Sequence, residues 1–197
     1  MGKLDFWFEY GSTYTYLTVA RMHAMASRHG IEVRWRPFLL APIMVEQGLA
    51  QGPFLPFPQK LRYMWRDLER RAATHGLPYR QPSHYPPNTL LTARVGMLAA
   101  TEGWCREFTE RSFALHWTED IAIGSDANLS ASLAALGKDA SRVLSQAQSA
   151  ANKDLLRVAT DEAKALGLFG SPSFVTRGEL FWGDDRLEDA LAWAQAG

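Results

Sequence analysis

Hydrophobic residues at the start of the chain follow two different spacings. Leu4–Tyr10 is a short run rich in aromatic residues that ends at Gly11, which is typical of a buried strand. Thr13–Arg28 repeats its apolar residues at helical spacing, and Gly30 follows as a helix stop. Ile31–Phe38 alternates apolar and charged residues, as a second strand does. A crossover helix of this length favours a parallel strand pair, so the opening predicts a strand–helix–strand unit.

The middle of the chain is predicted to be helical. Pro42–Pro58 is rich in proline and glycine and favours a loop that contains at most a short helix. The segments that follow repeat apolar residues at helical spacing. They are Gln59–His75, Asn88–Glu102, Cys105–Trp117, Asn128–Leu136 and Ser141–Leu166, the last with a break near Ala151.

The end of the chain returns to strands. Ser173–Thr176 and Glu179–Trp182 are short apolar runs on either side of Arg177-Gly178, which favours a tight hairpin turn. Asp185–Ala196 is predicted to be a final helix, with Asp185 as its cap.

The first and last segments of the chain are expected to form one sheet. The opening and closing units together supply four strands, and the chain must return after the helices to complete the sheet. We therefore expect an α/β fold with a mixed four-stranded sheet. Residues 1–40 and 168–197 are expected to form the sheet domain, and residues 41–167 are expected to form an inserted helical domain.

Composition and charge restrict the partners. The 197 residues are 47% hydrophobic and 21% charged, which fits a compact globular protein. Lysine plus arginine and aspartate plus glutamate both number 21, so no net field attracts a polyanion and we expect no nucleic-acid partner. We see no signal peptide and no apolar stretch of the ~20 residues that a bilayer span needs. We therefore expect a cytoplasmic protein without a membrane partner.

The single cysteine limits the chemistry. Cys105 alone cannot form an intramolecular disulfide, a C-x-x-C redox pair or a multi-cysteine zinc site. Its helical spacing with Phe108 indicates packing. The five histidines show no metal-ligand spacing, so we expect no metal.

The first candidate site is the predicted strand-to-helix turn at Ser12. Unpaired backbone N–H groups and the helix dipole favour an anion there, and a hydroxyl can donate a hydrogen bond to it. If that anion is a thiolate, both effects favour the ionised sulfur. The alternative is that Ser12 is an ordinary helix cap.

Two further segments also allow two interpretations. If the peptide bond before Pro172 is cis, the Ser171 backbone is turned outward to pair with an extended ligand; otherwise Pro172 lies in a plain loop. Asp184 and Asp185 at a helix start could hold a ligand ammonium, or could simply cap the helix and complement its dipole. Arg71 belongs to a basic helix face that is most simply explained as solvated.

Together these segments resemble one family. Asp5–Leu17, Lys60–Leu68, Phe169–Pro172 and Phe181–Leu187 occur in the order found in 2-hydroxychromene-2-carboxylate isomerases and kappa-class glutathione transferases, within the DsbA-like thioredoxin-fold group. The resemblance implies a thioredoxin-like fold with a large all-helical insertion. It also implies glutathione as cofactor, a small aromatic substrate and a homodimer.

The same resemblance implies roles for individual residues. Ser12 would be the catalytic residue that faces the glutathione sulfur. The remaining contacts would be Pro172 as a cis proline, the Ser171 backbone at the cysteinyl part, Asp184 and Asp185 at the γ-glutamyl end, Lys60 at a carboxylate, and Gln51 where the family often has asparagine. The family usually has proline after the active serine, and Thr13 here leaves two alternatives open: a looser first turn or a rival hydroxyl.

The activity implied is reversible addition of the glutathione thiolate to a conjugated alkene. Rotation and elimination would convert 2-hydroxychromene-2-carboxylate to trans-o-hydroxybenzylidenepyruvate, or isomerise a related intermediate of aromatic degradation. The alternatives are a kappa-class-like transferase that conjugates electrophiles and a non-catalytic thioredoxin-like binding module; the missing C-x-x-C argues against a disulfide oxidoreductase. The expected substrate-pocket walls, each of which could equally pack in the core, are Trp7, Tyr14, Trp65, Tyr85 and Trp182.

Overall fold

A mixed four-stranded sheet lies at the centre of the computed structural model, which describes residues 2–195. Its strands are β1 (Gly2–Phe8), β2 (Ile31–Pro37), β3 (Ser173–Thr176) and β4 (Glu179–Trp182). They lie in the order β2-β1-β3-β4. β1 runs parallel to β2 and antiparallel to β3, and β3 pairs antiparallel with β4. The mixed sheet expected from the sequence is confirmed, although Met1, Ala196 and Gly197, which belong to its predicted domain, lie outside the described residues.

The helices lie mainly between β2 and β3 in chain order. α1 links β1 to β2, α9 follows β4, and α2–α8 occupy the long connection from β2 to β3. Within residues 2–195 the helices are α1 (Thr15–His29), α2 (Leu40–Glu46), α3 (Pro58–Thr74), α4 (Leu90–Glu102), α5 (Cys105–Glu119), α6 (Asp126–Ala135), α7 (Ala140–Ala147), α8 (Ala150–Ala165) and α9 (Leu187–Gln195). No helix in this described part is both long and apolar enough to cross a bilayer.

Side-chain caps set helix starts that the sequence pattern placed slightly late. The Ser125 hydroxyl accepts the Asn128 N–H at 3.1 Å, so α6 begins before Asn128. The Ser149 hydroxyl likewise accepts the Asn152 N–H at 3.2 Å. This cap starts α8 and places the break between α7 and α8 at 148–149, just before the expected position near Ala151.

The core includes the central strand of the sheet. Phe6 and Phe174 stack across β1 and β3 with ring centroids 5.7 Å apart. Trp7 is 0% exposed, and the Arg36 guanidinium lies 4.5 Å from the centre of its ring. Trp7 therefore packs in the core, and the alternative role as a pocket wall does not apply to it. Cys105 is buried too, and burial raises the pKa of its thiol to about 12.

His116 of α5 is a buried titratable residue in the helical part. It is 3% exposed, and its Nδ1 accepts the Ile123 backbone N–H at 3.3 Å. Burial lowers the pKa of His116 from 6.5 to about 4, although Asp120 acts in the opposite direction. The folded protein therefore favours the neutral imidazole.

We expect the free energy of unfolding to decrease as the pH is lowered from about 6.5 to about 4. In this window the unfolded chain binds a proton at His116 that the folded chain excludes, so acid favours unfolding. Urea unfolding at both ends of the window measures the effect. His116→Gln should show a smaller difference between the two pH values than the wild type, and an equal difference in both proteins would contradict the assignment.

Candidate active site

Ser12 lies in the turn between β1 and α1 and is partly exposed. Its backbone N–H donates to the Glu9 carbonyl oxygen at 3.2 Å. Its hydroxyl donates to the Ser171 carbonyl oxygen at 2.7 Å. The Ser12 hydroxyl therefore faces the loop before β3 rather than the core.

Ser12 is not the cap of α1. The helix begins at Thr15, and the residue flanking its start is Tyr14, which makes no side-chain capping bond. The ordinary-cap interpretation of Ser12 is therefore wrong. Its hydroxyl is instead directed across the turn toward Ser171.

The loop facing Ser12 contains a cis peptide bond between Ser171 and Pro172. The Ser171 hydroxyl accepts the Glu9 backbone N–H at 2.9 Å and lies 2.9 Å from the Thr15 hydroxyl, so this side chain points into the protein. The Ser171 carbonyl accepts from Ser12, while its N–H meets no acceptor within residues 2–195. The Ser171 backbone N–H is therefore available to donate a hydrogen bond to a ligand next to Ser12.

The hydroxyl of Thr13 does not compete with that of Ser12. Thr13 is buried, and its hydroxyl donates to the Met64 sulfur of α3 at 3.3 Å. The Thr15 hydroxyl is also buried and is bonded to Ser171. Ser12 therefore carries the accessible hydroxyl of this turn, and Thr13 fastens the turn to α3.

A hydrogen bond joins the Pro172 loop to the segment before α9. The Gly183 N–H donates to the Pro172 carbonyl at 3.0 Å. Asp184–Arg186 then forms a single 3₁₀ turn, in which the Arg186 N–H donates to the Gly183 carbonyl. No side-chain cap is formed there, so the expected capping role of Asp185 is wrong.

The two adjacent carboxylates of this turn have different environments. Asp184 is 2% exposed; its Oδ1 lies 2.8 Å from Arg21 Nη2 of α1, and its Oδ2 lies 2.8 Å from Arg71 Nε of α3. Arg71 is therefore partly buried in an ion pair, which corrects the expectation that it is simply solvated. Asp185 is exposed, and its contact with Arg186 is 3.4 Å. The side chain that remains accessible to a ligand is that of Asp185.

Lys60 and Gln51 make no hydrogen bond or ion pair with the Ser12 turn within residues 2–195. Both are exposed, Gln51 in the segment before α3 and Lys60 in its first turn. Lys60 lies four residues before Met64, the partner of Thr13, and its Nζ is 5.4 Å from the centre of the Phe54 ring. No hydrogen bond or ion pair in residues 2–195 joins either side chain to Ser12 or Ser171. One hydrogen bond thus joins Ser12 to Ser171, and another joins Gly183, two residues before Asp185, to Pro172.

Aromatic side chains flank the loop that contains Ser171 and Pro172, which we call the proline loop. Trp182 is 52% exposed and packs edge-on against Phe169 with ring centroids 4.8 Å apart. It also lies so close to Gly170 that a Cβ there would collide with the indole ring. Trp182 is therefore positioned beside Ser171.

A second aromatic group joins α3 to the segment before α4. Trp65 and Tyr85 are partly exposed and meet edge to face, with ring centroids 5.0 Å apart. The Tyr14 hydroxyl donates to Asp67 at 2.9 Å and fastens α1 to α3. These contacts support α3 next to the Ser12 turn.

A cavity of about 680 Å³ lies elsewhere in the molecule. It lies between β2 and the helices α1, α4, α5 and α8, with Trp35, Met97 and Val158 among its lining residues. None of the residues proposed for the site lines it. The expected pocket at Ser12 is therefore not this cavity, and Ser12 itself is partly exposed.

The sequence interpretation missed the carboxylate beside Ser12. Glu9 Oε1 accepts the Thr89 hydroxyl at 2.7 Å, and Oε2 accepts the Gly11 N–H at 2.8 Å. Burial raises the pKa of Glu9, although the hydrogen bonds from the Thr89 hydroxyl and the Gly11 N–H act in the opposite direction. An acidic residue inside the aromatic run Leu4–Tyr10 was the available signal. Among the described residues, no group of three or more histidine, cysteine, aspartate or glutamate side chains could hold a metal ion.

Comparison with known proteins identifies the family. The DSBA-like thioredoxin domain matches residues 3–192. The chain belongs to this family. The expected thioredoxin-like fold of the DsbA type is therefore confirmed for this DSBA-like protein.

Relatives refine the comparison. The DSBA-like protein is 26% identical over 189 residues to the 2-hydroxychromene-2-carboxylate isomerase of Sphingobium xenophagum, covering 94% of each chain. It is 27% identical to glutathione S-transferase kappa 2 of Caenorhabditis elegans, covering 93% of this chain and 88% of that one. A solved 2-hydroxychromene-2-carboxylate isomerase superposes with a TM-score of 0.86 at 27% identity, covering 97% and 95% of the two chains. The resemblance seen in the sequence is confirmed.

Proposed function

We propose that this DSBA-like protein is a glutathione-dependent cis–trans isomerase of 2-hydroxychromene-2-carboxylate or a related intermediate of aromatic degradation. The names of its relatives support the reaction class. The observation that carries the proposal is the Ser12 hydroxyl, held 2.7 Å from the Ser171 carbonyl beside Pro172 at an accessible strand-to-helix turn.

The residues present suit glutathione. The Ser171 backbone offers a free N–H and a carbonyl beside Ser12, and such an edge can pair with the extended backbone of a peptide. Asp185, which follows the Gly183 bond to Pro172, offers an exposed carboxylate to the γ-glutamyl ammonium. Asp184 would act by holding Arg21 and Arg71, and Lys60 and Gln51 would contribute from the mouth of the site.

Ser12 would supply the hydrogen bond that favours an ionised sulfur. When bound, glutathione would supply a thiolate, which is both a good nucleophile and a good leaving group. The Ser12 hydroxyl would turn from the Ser171 carbonyl to donate to that sulfur, and the N-terminus of α1 would add its favourable dipole. The partly exposed rings of Trp182, Trp65 and Tyr85 would offer apolar surface to an aromatic substrate.

We further propose a cytoplasmic homodimer with residues 1–40 and 168–197 as the sheet domain and residues 41–167 as the inserted helical domain. The position of α2–α8 between β2 and β3 supports the division of the chain. The lack of a possible disulfide is compatible with a reducing compartment.

Turnover of 2-hydroxychromene-2-carboxylate with a small amount of glutathione tests the proposed reaction. The substrate should isomerise over many cycles, with the glutathione recovered unchanged and no reaction in its absence. Consumption of one glutathione per product would instead indicate the kappa-class-like transferase, which the relative from Caenorhabditis elegans makes the second candidate. Binding of glutathione without turnover of isomerase or transferase substrates would indicate a binding module.

A further inference from the structure

Glu9 is an acidic residue without a cationic partner next to the Ser12 turn. Within residues 2–195, no lysine, arginine or histidine forms an ion pair with it. Its two carboxylate oxygens are held by the Thr89 hydroxyl at 2.7 Å and the Gly11 N–H at 2.8 Å. Glu9 is partly buried, and partial desolvation of a carboxylate without a countercharge shifts it toward its neutral form. The proposed reaction gives the Glu9 carboxylate no role.

The titratable groups that face Glu9 do not supply a countercharge. They are Tyr10, from the segment following β1, and Tyr85, from the segment before α4. Burial raises the pKa of Tyr10 well above its ordinary value and that of Tyr85 to about 12, and the Glu9 charge adds to both shifts. Both phenols are therefore neutral near neutral pH. Within residues 2–195 the Glu9 carboxylate is stabilised by hydrogen bonds from the Thr89 hydroxyl and the Gly11 N–H.

The same turn would hold the ligand sulfur. The Gly11 N–H donates to the Glu9 carboxylate at 2.8 Å, and the Ser12 N–H donates to the Glu9 carbonyl oxygen at 3.2 Å. A thiolate at the Ser12 hydroxyl would place a second negative charge beside the same short segment. Two like charges at one site oppose each other's ionisation, so the protonation of one is coupled to that of the other.

We propose that Glu9 is a positioning residue that sets how readily a sulfhydryl bound at Ser12 gives up its proton, because the two anions share one turn. The inference rests on the proposed binding of glutathione. As the S–H bond breaks, an O–H bond forms on the Glu9 carboxylate, with the proton carried between them by solvent. Proton uptake by Glu9 then reduces the negative charge that faces the new thiolate.

Proton release on glutathione binding tests this coupling. It is measured by calorimetry near neutral pH in two buffers of different ionisation enthalpy, together with a pH titration of the thiolate absorbance. Glu9→Gln is uncharged and keeps an acceptor oxygen, so it should release more protons per glutathione bound than the wild type. The thiolate of glutathione bound to Glu9→Gln should also form about one pH unit lower than in the wild type, which is a roughly tenfold larger ionisation constant. S-methylglutathione, which has no thiol proton, should show no difference between the two proteins.

Two further variants separate charge from structure. Glu9→Asp keeps the carboxylate and should restore the wild-type proton count. Thr89→Val removes the donor to Glu9 Oε1 while leaving the carboxylate in place, so it should shift the thiolate midpoint downward by less than Glu9→Gln does. If Glu9→Gln does not fold, the shift of the thiolate midpoint in Thr89→Val tests the coupling instead.

The outcomes distinguish the two proposals. Glutathione that binds and ionises equally in wild type and Glu9→Gln would overturn the role of Glu9 and leave the proposed function intact. Wild-type protein that binds no glutathione would contradict the proposed function itself, and the role of Glu9 with it.

Discussion

Ser12→Ala is expected to lower kcat for the isomerisation by about a hundredfold to a thousandfold, the range seen when one donor to a developing anion is removed. The hydroxyl is the accessible one at the turn, because those of Thr13 and Thr15 are buried and bonded elsewhere. Without its donated hydrogen bond, less of the bound sulfur is ionised and its thiolate is less well oriented. Initial rates at saturating glutathione, with thiolate absorbance recorded in parallel, measure the loss.

Thr13→Val is the matched control. It also removes a hydroxyl from the same turn, but that hydroxyl donates to the buried sulfur of Met64 and not to Ser171. We expect Thr13→Val to retain turnover within a few fold of the wild type. Full turnover by Ser12→Ala, with both variants folded, would show that the Ser12 hydroxyl does not hold the sulfur.

Asp184→Asn is expected to destabilise the protein by about 3 kcal/mol, because it leaves two guanidinium groups without their shared carboxylate. Asp184 joins Arg21 of α1 to Arg71 of α3, and both contacts are short. For a chain of this size the change corresponds to a decrease in Tm of about 6–12 °C. Urea denaturation at neutral pH gives the free energy directly.

The neighbouring acid provides the comparison for stability. Asp185 is exposed and its only ion pair in the described residues is a 3.4 Å contact with Arg186, so Asp185→Asn should change the free energy of unfolding by less than about 0.5 kcal/mol. Equal stability of Asp184→Asn and Asp185→Asn would mean that the buried ion pairs contribute little to the fold.

The parts of the fold that depend on local pattern were predictable. Alternation in Ile31–Phe38 and helical spacing in Thr13–Arg28 each reflect which side of one element is buried, and β2 and α1 lie within or close to those bounds. The short apolar runs on either side of Arg177-Gly178 likewise predicted β3 and β4 with their observed bounds, and the resemblance in sequence order added the DsbA-like type of the fold. Helix-capping residues such as Ser125 and Ser149 were harder to predict from the sequence, because neighbouring polar residues could fill the same role.

The interactions that build the site depend on residues far apart in the chain. Arg71 and Asp184 are separated by 113 positions, so a helix face rich in arginine gave no sign that one of them pairs with a buried acid. The link from Thr13 to Met64 spans 51 positions and could not be inferred from the turn alone. Glu9 was visible as an acid in an aromatic run, but its partner Thr89, which is 80 positions away, depends on how the start of α4 approaches the turn.

A crystal structure of the protein with bound glutathione tests the central claim most directly. We expect the sulfur within about 3.5 Å of the Ser12 hydroxyl oxygen, with the cysteinyl backbone paired to Ser171 and the γ-glutamyl ammonium near Asp185. Glutathione bound away from the Pro172 loop, for example in the cavity beside β2, with the Ser12 hydroxyl still donating to Ser171, would refute it.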